Sequence, residues 1–282
     1  MERMQESTTA RARDVQVSRC ETLAGGYFLL GITAPEAAAA VAPGQIFMLG
    51  LPRHSLSADP LLNRPLSVLD APGAGADGEI LFLIKQVGRG TRLLAGLQPG
   101  DKLFAHGPLG GTFPEPPVGG TTILVGGGVG IAPLYFCLRR FSGIAQLVLF
   151  YGGRTAADLP LRELLATETG TDVRLVTEDG SLGERGLVTE PVERFLKQNA
   201  ADRIYCCGPN AMMAVVHRIG ASAGRPVWVS MENRMGCGMG VCLGCTIPVR
   251  DDRGAAMLRV CADGPVFEAG RIDWELIARS PI

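Results

Sequence analysis

Residues 121–134 read TTILVGGGVGIAPL: a short apolar strand, a run of glycines, and the beginning of an apolar helix. Backbone N–H groups in such a loop, together with the positive end of the helix, form a cradle for a pyrophosphate. Pro133 suits the first helical turn, where its missing N–H costs little. The glycines depart from the G-x-G-x-x-G fingerprint, and no acidic residue follows at the usual distance of about 20 positions. Alone, the stretch predicts a phosphate-binding loop or a tight structural turn. The candidate phosphate ligands are Gly126, Gly127, Gly128 and Gly130.

Strand and helix patterns alternate from this stretch to about residue 230. The segments AQLVLFYG, DVRLVTED, RIYCCG and PVWVSME predict strands, and helical patterns lie between them. This alternation predicts a parallel α/β sheet. Cys207, Gly208 and Pro209 follow one strand directly, at the edge where ligands bind in such sheets. The Cys207 thiol is therefore a candidate for contact with a nicotinamide ring, and equally a buried cysteine at a strand end.

The residues upstream of the glycine run predict a different architecture. Short apolar segments such as YFLLGI, QIFMLGL and EILFLIKQV are separated by Gly and Pro turns. This pattern is typical of a closed or nearly closed antiparallel barrel. A Pro- and Gly-rich stretch at 114–120 predicts a linker. We therefore expect a barrel over 1–116 and an α/β domain over 117–230.

Two short motifs in the barrel have the chemistry of a nucleotide site. In Arg64-Pro65-Leu66-Ser67, the guanidinium can fork onto a phosphate and the hydroxyl can reach a heteroatom of a flavin ring. The second motif, Gly88-Arg89-Gly90-Thr91, precedes a predicted helix and is a further phosphate-binding candidate. Each also has a purely structural interpretation, as an ordinary strand entry and as a helix cap.

Four cysteines near the C-terminus follow the spacing C-x4-C-x2-C-x15-C: Cys237, Cys242, Cys245 and Cys261. The first three match the plant-type [2Fe–2S] spacing, and soft thiolates bind iron strongly. Interleaved glycines permit the backbone of such a loop to approach the metal group closely. Structural zinc sites usually contain two C-x2-4-C pairs instead. The spacing favours an iron–sulfur cluster over zinc or unligated cysteines, in a short module over 231–282.

Composition restricts the class of protein. The chain has 282 residues, enough for two domains and a small appendage. A formal net charge of −1 provides no basic face for nucleic acid or an anionic membrane. No apolar run approaches the roughly 20 residues that span a bilayer, and the polar N-terminus lacks the apolar core of a signal peptide. Eight cysteines without an export signal indicate reduced thiols or metal ligands, which predicts a cytoplasmic protein.

The order RPLS, GRGT, GGGVGIAPL and CGP resembles the ferredoxin–NADP reductase superfamily, in which a barrel binds FAD and an α/β domain binds a nicotinamide nucleotide. With the C-terminal MENRMGCGMGVCLGC, the whole chain resembles electron-transfer subunits of NAD-linked dihydroorotate dehydrogenase. Leu66 stands where the superfamily commonly has a tyrosine that stacks on the flavin, so the resemblance does not imply that Leu66 stacks on it. It implies FAD contacts from Arg64, Pro65, Leu66, Ser67, Leu83, Ile84, Lys85, Gly90 and Thr91.

The resemblance also implies a function. Electrons would pass from the FMN of a separate catalytic subunit through the [2Fe–2S] cluster and FAD to NAD+, in pyrimidine biosynthesis. The expected assembly is a heterotetramer with two copies of each subunit. This chain then needs no catalytic residue of its own, and none of its histidines, His54, His106 and His217, lies in a recognisable catalytic setting.

Two other functions are alternatives at this stage. The chain resembles small FAD/[2Fe–2S] subunits of ferredoxin-dependent NAD(P)H oxidoreductases and of hydrogenase-type complexes. A non-enzymatic cluster-bearing sensor is disfavoured by the intact glycine loop and both flavin motifs. The choice between NAD and NADP stays open, because Arg154 offers a cation for a 2′-phosphate and Asp158 lies near it in the sequence.

Overall fold

The N-terminal half forms a closed barrel of six strands in the order β1-β2-β5-β4-β3-β6, and all neighbours are antiparallel. The structure is a computed structural model that describes residues 11–51, 60–73, 78–251 and 254–279; His54 lies outside them. The barrel elements are β1 (Arg11–Thr22), β2 (Tyr27–Thr33), α1 (Pro35–Ala40), β3 (Ile46–Gly50), β4 (Arg64–Asp70), β5 (Glu79–Lys85), α2 (Arg89–Ala95) and β6 (Lys102–Leu109).

The barrel interior is filled by apolar side chains that the strands direct inward. The rings of Phe47 and Phe82 meet edge to face, with centroids 5.8 Å apart, and Leu30 and Ile32 are fully buried beside them. Small barrels close in this way because alternate residues of every strand point to the inside. The predicted antiparallel barrel is therefore confirmed.

The second half forms a seven-stranded sheet in the order β10-β9-β8-β7-β11-β12-β15, in which only β15 (Val266–Glu268) runs antiparallel to its neighbour. Its central strand carries Ile123, Leu124 and Val125, which are fully buried, as expected for a strand covered on both faces. The predicted parallel sheet is confirmed as well. Its elements are β7 (Thr121–Gly127), α3 (Ile131–Phe141), β8 (Gln146–Gly153), α4 (Arg162–Ala166), β9 (Asp172–Thr177), β10 (Glu184–Arg185), α5 (Thr189–Gln198), β11 (Arg203–Cys207), α6 (Asn210–Ser222) and β12 (Val227–Ser230).

The C-terminal segment is joined to this sheet. After the cysteine loop come the hairpin strands β13 (Thr246–Asp251) and β14 (Gly254–Arg259), α7 (Val260–Asp263), β15 (Val266–Glu268) and α8 (Trp274–Arg279). Strand β15 pairs with β12 and extends the sheet by one strand. Within the described residues, no helix is long and apolar enough to cross a membrane.

Helix α3 fixes the barrel against the sheet. It packs on strand β4, and its Phe136 side chain belongs to the barrel core. A second buried cluster contains Met48 and Leu109 of the barrel together with Val260 and Cys261 of the C-terminal segment. The glycine loop at the beginning of α3 and the cysteine loop are therefore both anchored to the barrel wall.

Candidate functional site

A cavity of about 1030 Å³ lies between strands β4 and β5 of the barrel and the carboxyl edge of the sheet. Its volume is at the upper limit of ordinary small-molecule sites, which are about 300–1,000 Å³, so it has room for a large ligand. Most of the candidate residues line it: Arg64, Pro65, Leu66, Ser67, Leu83, Ile84, Lys85, Thr91, Gly127, Gly128, Gly130, Gly208 and Pro209. Three candidates lie outside its lining: Gly90, Gly126 and Cys207.

Arg64 and Gly90 form one structural unit. The half-buried guanidinium of Arg64 lies over Gly90 in the first turn of α2, where an added Cβ would overlap it. The same guanidinium donates a hydrogen bond to the carbonyl of Leu62. Gly90 is thus absent from the cavity surface, but its lack of a side chain makes room for the cation that lines it. This cation is suited to bind a phosphate group there.

Thr91 caps helix α2, which is the structural interpretation that the sequence left open for the GRGT motif. Its hydroxyl oxygen accepts hydrogen bonds from the N–H groups of Val87 and Gly88, at 3.0 and 3.1 Å, and its proton goes to the Gly88 carbonyl. These bonds close the first turn of α2 as a capping box does. Thr91 therefore shapes the cavity wall mainly by fixing the helix.

The glycine loop leads from β7 into α3 at the bottom of the cavity. Gly128–Gly130 form a short 3₁₀ turn, and the buried Tyr151 hydroxyl donates to the Gly128 carbonyl at 3.1 Å. A Cβ at Gly130 would overlap the Cys207 carbonyl, so this glycine permits the loop to lie against the end of β11. Helix α3, eleven residues long, begins at the cavity, and the positive end of its dipole favours an anion there.

Cys207 lies beneath this loop, and its side chain is fully buried. Burial raises the pKa of its thiol well above the ordinary value, with a smaller contribution from the nearby carboxyl of Glu232. The structure brings Gly208 and Pro209 into the cavity lining but leaves the thiol outside it. Of the two interpretations offered by the sequence, this placement corresponds to the buried cysteine at a strand end.

An ion pair joins the barrel to the sheet in the wall of the cavity, and the sequence did not predict it. Lys85 Nζ lies 2.8 Å from Asp158 Oδ1 and 4.7 Å from the centroid of the Tyr27 ring. The hydrogen bond from Lys85 lowers the pKa of Asp158, and the same bond raises the pKa of Lys85. Tyr27 is buried at the beginning of β2 and lines the cavity as well. No sequence signal connects the two charges, because 73 positions separate them.

Glu232 is a second cavity residue that the sequence analysis missed. It follows β12, so it lies at the sheet edge where ligands collect, and this position was an available signal. Its side chain is exposed to the cavity, while the surrounding protein raises the pKa of the carboxyl by desolvation. Met231 and Met235 line the cavity on either side of it.

The four candidate metal ligands are grouped in two pairs. Cys245 Sγ lies 3.3 Å from Cys261 Sγ, and both residues are buried. Cys237 and Cys242 form the other pair, nearer the surface. Among the described residues, no three His, Cys, Asp or Glu side chains are grouped as ligands of a single metal ion. Two thiol pairs fit a group with two metal atoms, and four cysteines are the usual ligands of a [2Fe–2S] cluster.

Backbone N–H groups are directed at these sulfurs. Met239 N lies 3.4 Å and Cys242 N 3.5 Å from Cys237 Sγ, and Gly240 N lies 3.2 Å from Cys261 Sγ. Burial opposes ionisation of Cys237, but the N–H donors outweigh it and lower its pKa to about 6. The loop thus favours the thiolate, which is the form that binds iron, at Cys237, whereas burial raises the pKa of Cys261 to about 12.

The outer surface of the cysteine loop is apolar and exposed. Met239, Val241 and Leu243 are 58%, 75% and 61% exposed, around the exposed Cys242. Leu243 has φ +58° and is the one non-glycine residue with positive φ among those described. This left-handed conformation costs about 1–2 kcal/mol for an ordinary residue, so the packing of the loop imposes it. We call Met239, Val241 and Leu243 the apolar rim.

Comparison with known proteins agrees with this architecture. Residues 232–273 match the model of the iron–sulfur cluster binding domain of dihydroorotate dehydrogenase B, and residues 124–218 match the oxidoreductase NAD-binding domain. A solved chain from an NADH-dependent reduced ferredoxin-NADP oxidoreductase, studied for flavin-based electron bifurcation, superposes with a TM-score of 0.80. It is 26% identical, and the match covers 94% of this chain and 91% of the other.

Two curated relatives are more similar in sequence, and both are named dihydroorotate dehydrogenase B (NAD(+)), electron transfer subunit. The relative from Desulforamulus reducens is 33% identical over 265 residues, which cover 93% of this chain and 98% of the relative. The relative from Bacillus caldolyticus is 39% identical over 235 residues, covering 82% and 86%. The identity extends over the barrel, the sheet and the cysteine loop, and the chain therefore belongs to the family of dihydroorotate dehydrogenase B electron transfer subunits.

Proposed function

We propose that this chain is the electron-transfer subunit that links dihydroorotate oxidation on an FMN-containing partner subunit to reduction of NAD+, in pyrimidine biosynthesis. The observation that carries the proposal is the position of the cavity. It extends from the RPLS strand of the barrel to the glycine loop of the sheet and ends at Met235, two residues before Cys237. One chain therefore has a flavin site, a nucleotide site and a cysteine loop side by side.

The barrel side of the cavity is proposed to hold FAD. Arg64 offers a cation for a phosphate, and the backbone of Leu83–Lys85 together with Ser67 offers polar groups along β4 and β5. When bound, FAD converts between hydride transfer with a nicotinamide and single-electron transfer with an iron–sulfur cluster. The protein's contribution is to hold the flavin between the other two sites and to exclude water from the contact.

The sheet side of the cavity is proposed to hold the nicotinamide nucleotide. The backbone of Gly127–Gly130 offers N–H groups for its pyrophosphate, and the positive end of α3 adds a favourable dipole. Gly208 and Pro209, directly after β11, form the wall beyond the loop. Gly126 and Cys207 do not line the cavity, and we propose that they support this wall from behind.

The cysteine loop is proposed to hold the [2Fe–2S] cluster through Cys237, Cys242, Cys245 and Cys261. A partner must approach the exposed pair, so we assign the apolar rim to the interface with the FMN subunit. Exposed apolar groups surrounding a redox site are what such a contact would cover. We further propose a heterotetramer with two copies of each subunit, a cytoplasmic location, and division of the chain at 1–116, 117–230 and 231–282.

The other function raised by the sequence, in a ferredoxin-dependent NAD(P)H oxidoreductase, has weaker support. The relatives named for the dihydroorotate enzyme are 33–39% identical, whereas the solved ferredoxin-NADP oxidoreductase chain is 26% identical. Higher identity over a similar share of the chain favours the first function.

The proposal is tested on the isolated chain. Anaerobically purified protein should contain FAD, iron and acid-labile sulfide, and should reduce an artificial electron acceptor with NADH. It should not oxidise dihydroorotate, because we assign that reaction to the FMN-containing partner subunit. Protein that contains zinc in place of iron, or that binds no flavin, would contradict the proposal.

A further inference from the structure

Gly240 lies in the cysteine loop and has contacts on both of its backbone groups. Its N–H is directed at Cys261 Sγ at 3.2 Å, and its carbonyl oxygen accepts a hydrogen bond from Arg259 Nη1 at 3.1 Å. Its φ is +78°, and a Cβ added to it would lie 2.9 Å from the Cβ of Ala262, so the loop lies close against α7 here. One residue of the loop therefore connects a cation to a sulfur of the buried thiol pair.

Asp263 holds the guanidinium of Arg259 on its other edge. Arg259 Nε and Nη2 donate to the two carboxylate oxygens of Asp263, each at 2.8 Å, and the Arg259 backbone N–H donates to the same carboxylate at 2.8 Å. The guanidinium is planar and binds a carboxylate as a fork, so these bonds also fix the direction of its remaining nitrogen. That nitrogen, Nη1, is the one that meets the Gly240 carbonyl.

The segment that carries this ion pair is itself fixed. Arg259 is the last residue of β14, which pairs with β13 along its whole length. Val260 and Cys261 follow it directly and are buried, and Val260 N donates to the Cys245 carbonyl at 3.0 Å. Because Arg259 is anchored to the hairpin and to α7, its bond to Gly240 restrains the cysteine loop.

The ion pair contributes more to the direction of the loop than to stability. The side chains of Arg259 and Asp263 are 37% and 27% exposed, and partly exposed pairs of this kind add little to the free energy of unfolding. Hydrogen bonds to the sulfurs, in contrast, are among the factors that set the reduction potential of an iron–sulfur cluster. A donor that stabilises the negative charge added on reduction raises that potential. A residue that fixes the donor acts on the potential through it.

We infer that Arg259 is a positioning residue for the cluster: held by Asp263, it keeps the Gly240 N–H on Cys261 Sγ and thereby raises the reduction potential. The inference rests on the proposed [2Fe–2S] cluster at the four cysteines. It adds a residue outside the cysteine motif to those that determine how readily the cluster accepts an electron. The sequence contains one local signal for it, since Arg259 and Asp263 are four positions apart, the spacing of an i, i+4 ion pair.

Redox titration of the anaerobically purified holoprotein, followed by electron paramagnetic resonance of the reduced cluster, measures this potential. Arg259→Gln should make the ratio of reduced to oxidised cluster about tenfold smaller at a fixed ambient potential, the size expected from a hydrogen bond that involves a charged group. This equals a fall of about 59 mV for a one-electron couple. Arg259→Lys should show a similar fall, because an ammonium keeps the charge but cannot bind Asp263 as a fork and reach Gly240 as well. The potential of FAD, measured from its absorbance in the same titration, should not change.

Arg250→Gln is the matched control, because it removes a guanidinium from the same hairpin that binds a different carboxylate, with Nε 2.7 Å from Asp273. It should keep the wild-type potential of the cluster. If Arg259→Gln retains no iron, Arg259→Lys decides.

A wild-type potential in Arg259→Gln would show that the inference is wrong. A wild-type potential in Arg259→Lys would also overturn it, because the charge alone would then account for any effect of Arg259→Gln. In both cases the iron, the sulfide and NADH-driven reduction of an artificial acceptor would still support the proposed function. Wild-type protein that contains no iron would overturn the inference and the proposed function together.

Discussion

Lys85 and Asp158 form an ion pair of 2.8 Å between the last residue of β5 in the barrel and the turn after β8 in the sheet. The pair lies in the wall of the cavity that separates the two halves of the chain. It therefore holds together the two surfaces between which we place the flavin and the nucleotide. The sequence predicts only that Lys85 lies in the barrel. Its partner lies in the sheet because this end of β5 faces the sheet across the boundary between the two halves.

We expect Lys85→Met to lower the free energy of unfolding by about 0.5–1 kcal/mol at pH 7, because the pair is only partly shielded from solvent. The lowered pKa of Asp158 makes this contribution present above its unfolded pKa, about 3.9, and lost as pH falls through the folded value. The raised pKa of Lys85 means that the same contribution is fully present below the unfolded pKa of lysine, about 10.4, and is lost as pH rises through the folded pKa.

Urea unfolding at several pH values measures this effect. The difference between wild type and Lys85→Met should be constant from about pH 5 to pH 9 and shrink below about pH 4. Lys102→Met, which removes an exposed lysine on β6, is the control. A difference that is the same for both variants at every pH would show that the ion pair has no specific effect.

The cysteine assignment predicts a clear division among the variants. Replacing Cys237, Cys242, Cys245 or Cys261 by Ser should remove or cripple the cluster, because an alcohol is a poor iron ligand. Cys20→Ser and Cys137→Ser should keep it, since these thiols lie in the barrel and in α3. Iron and sulfide analysis of anaerobically purified protein decides between the two groups. Full iron content in any variant of the first group would remove that cysteine from the ligand set.

Arg64→Ala should weaken flavin retention by about 1.5–3 kcal/mol, the usual contribution of a hydrogen bond to a charged group. This corresponds to roughly one to two decades in affinity. Gly90→Ala should have a similar effect, because the added Cβ would displace the guanidinium. Arg92→Ala is the control, as Arg92 is exposed on the same helix. Flavin content after dialysis is the measurement, and unchanged occupancy in Arg64→Ala would exclude it as a phosphate ligand.

The apolar rim leads to a prediction about assembly. Leu243→Asn should weaken binding of the FMN subunit by at least about tenfold, because burial of a leucine contributes about 1.5–3 kcal/mol. Asparagine tolerates the left-handed conformation at this position, so the loop and its iron should be retained. Val118→Asn, at a residue that is 90% exposed in the linker, should bind normally. Biosensor titration measures the affinity of each variant for the FMN subunit. Equal affinities for Leu243→Asn and Val118→Asn would contradict the assignment of the apolar rim.

Much of the fold was predictable because its signals are local. Apolar segments such as TTILV and RIYCCG mark strands, and the glycines between TTILV and APLYF mark the turn into α3. The family was also recognisable from the order of short motifs, and the curated relatives confirm it. Each of these signals needs only a few neighbouring residues.

The contacts that assemble the cavity were not predictable in this way. Lys85 meets Asp158, and Gly90 makes room for Arg64, only after barrel and sheet are packed together. The pairing of β15 with β12 depends on the path of the chain after the cysteine loop. Such long-range contacts depend on three-dimensional packing, which leaves no periodic pattern in the sequence.

The most direct test of the proposed function is reconstitution with the FMN subunit, followed by measurement of NADH formation from dihydroorotate. The wild-type pair should form NADH, and the isolated chain should not. Cys242→Ser should abolish this activity in the pair while the variant alone still reduces an artificial acceptor with NADH. A reconstituted complex that ignores dihydroorotate but couples NADPH to ferredoxin would contradict the proposed function.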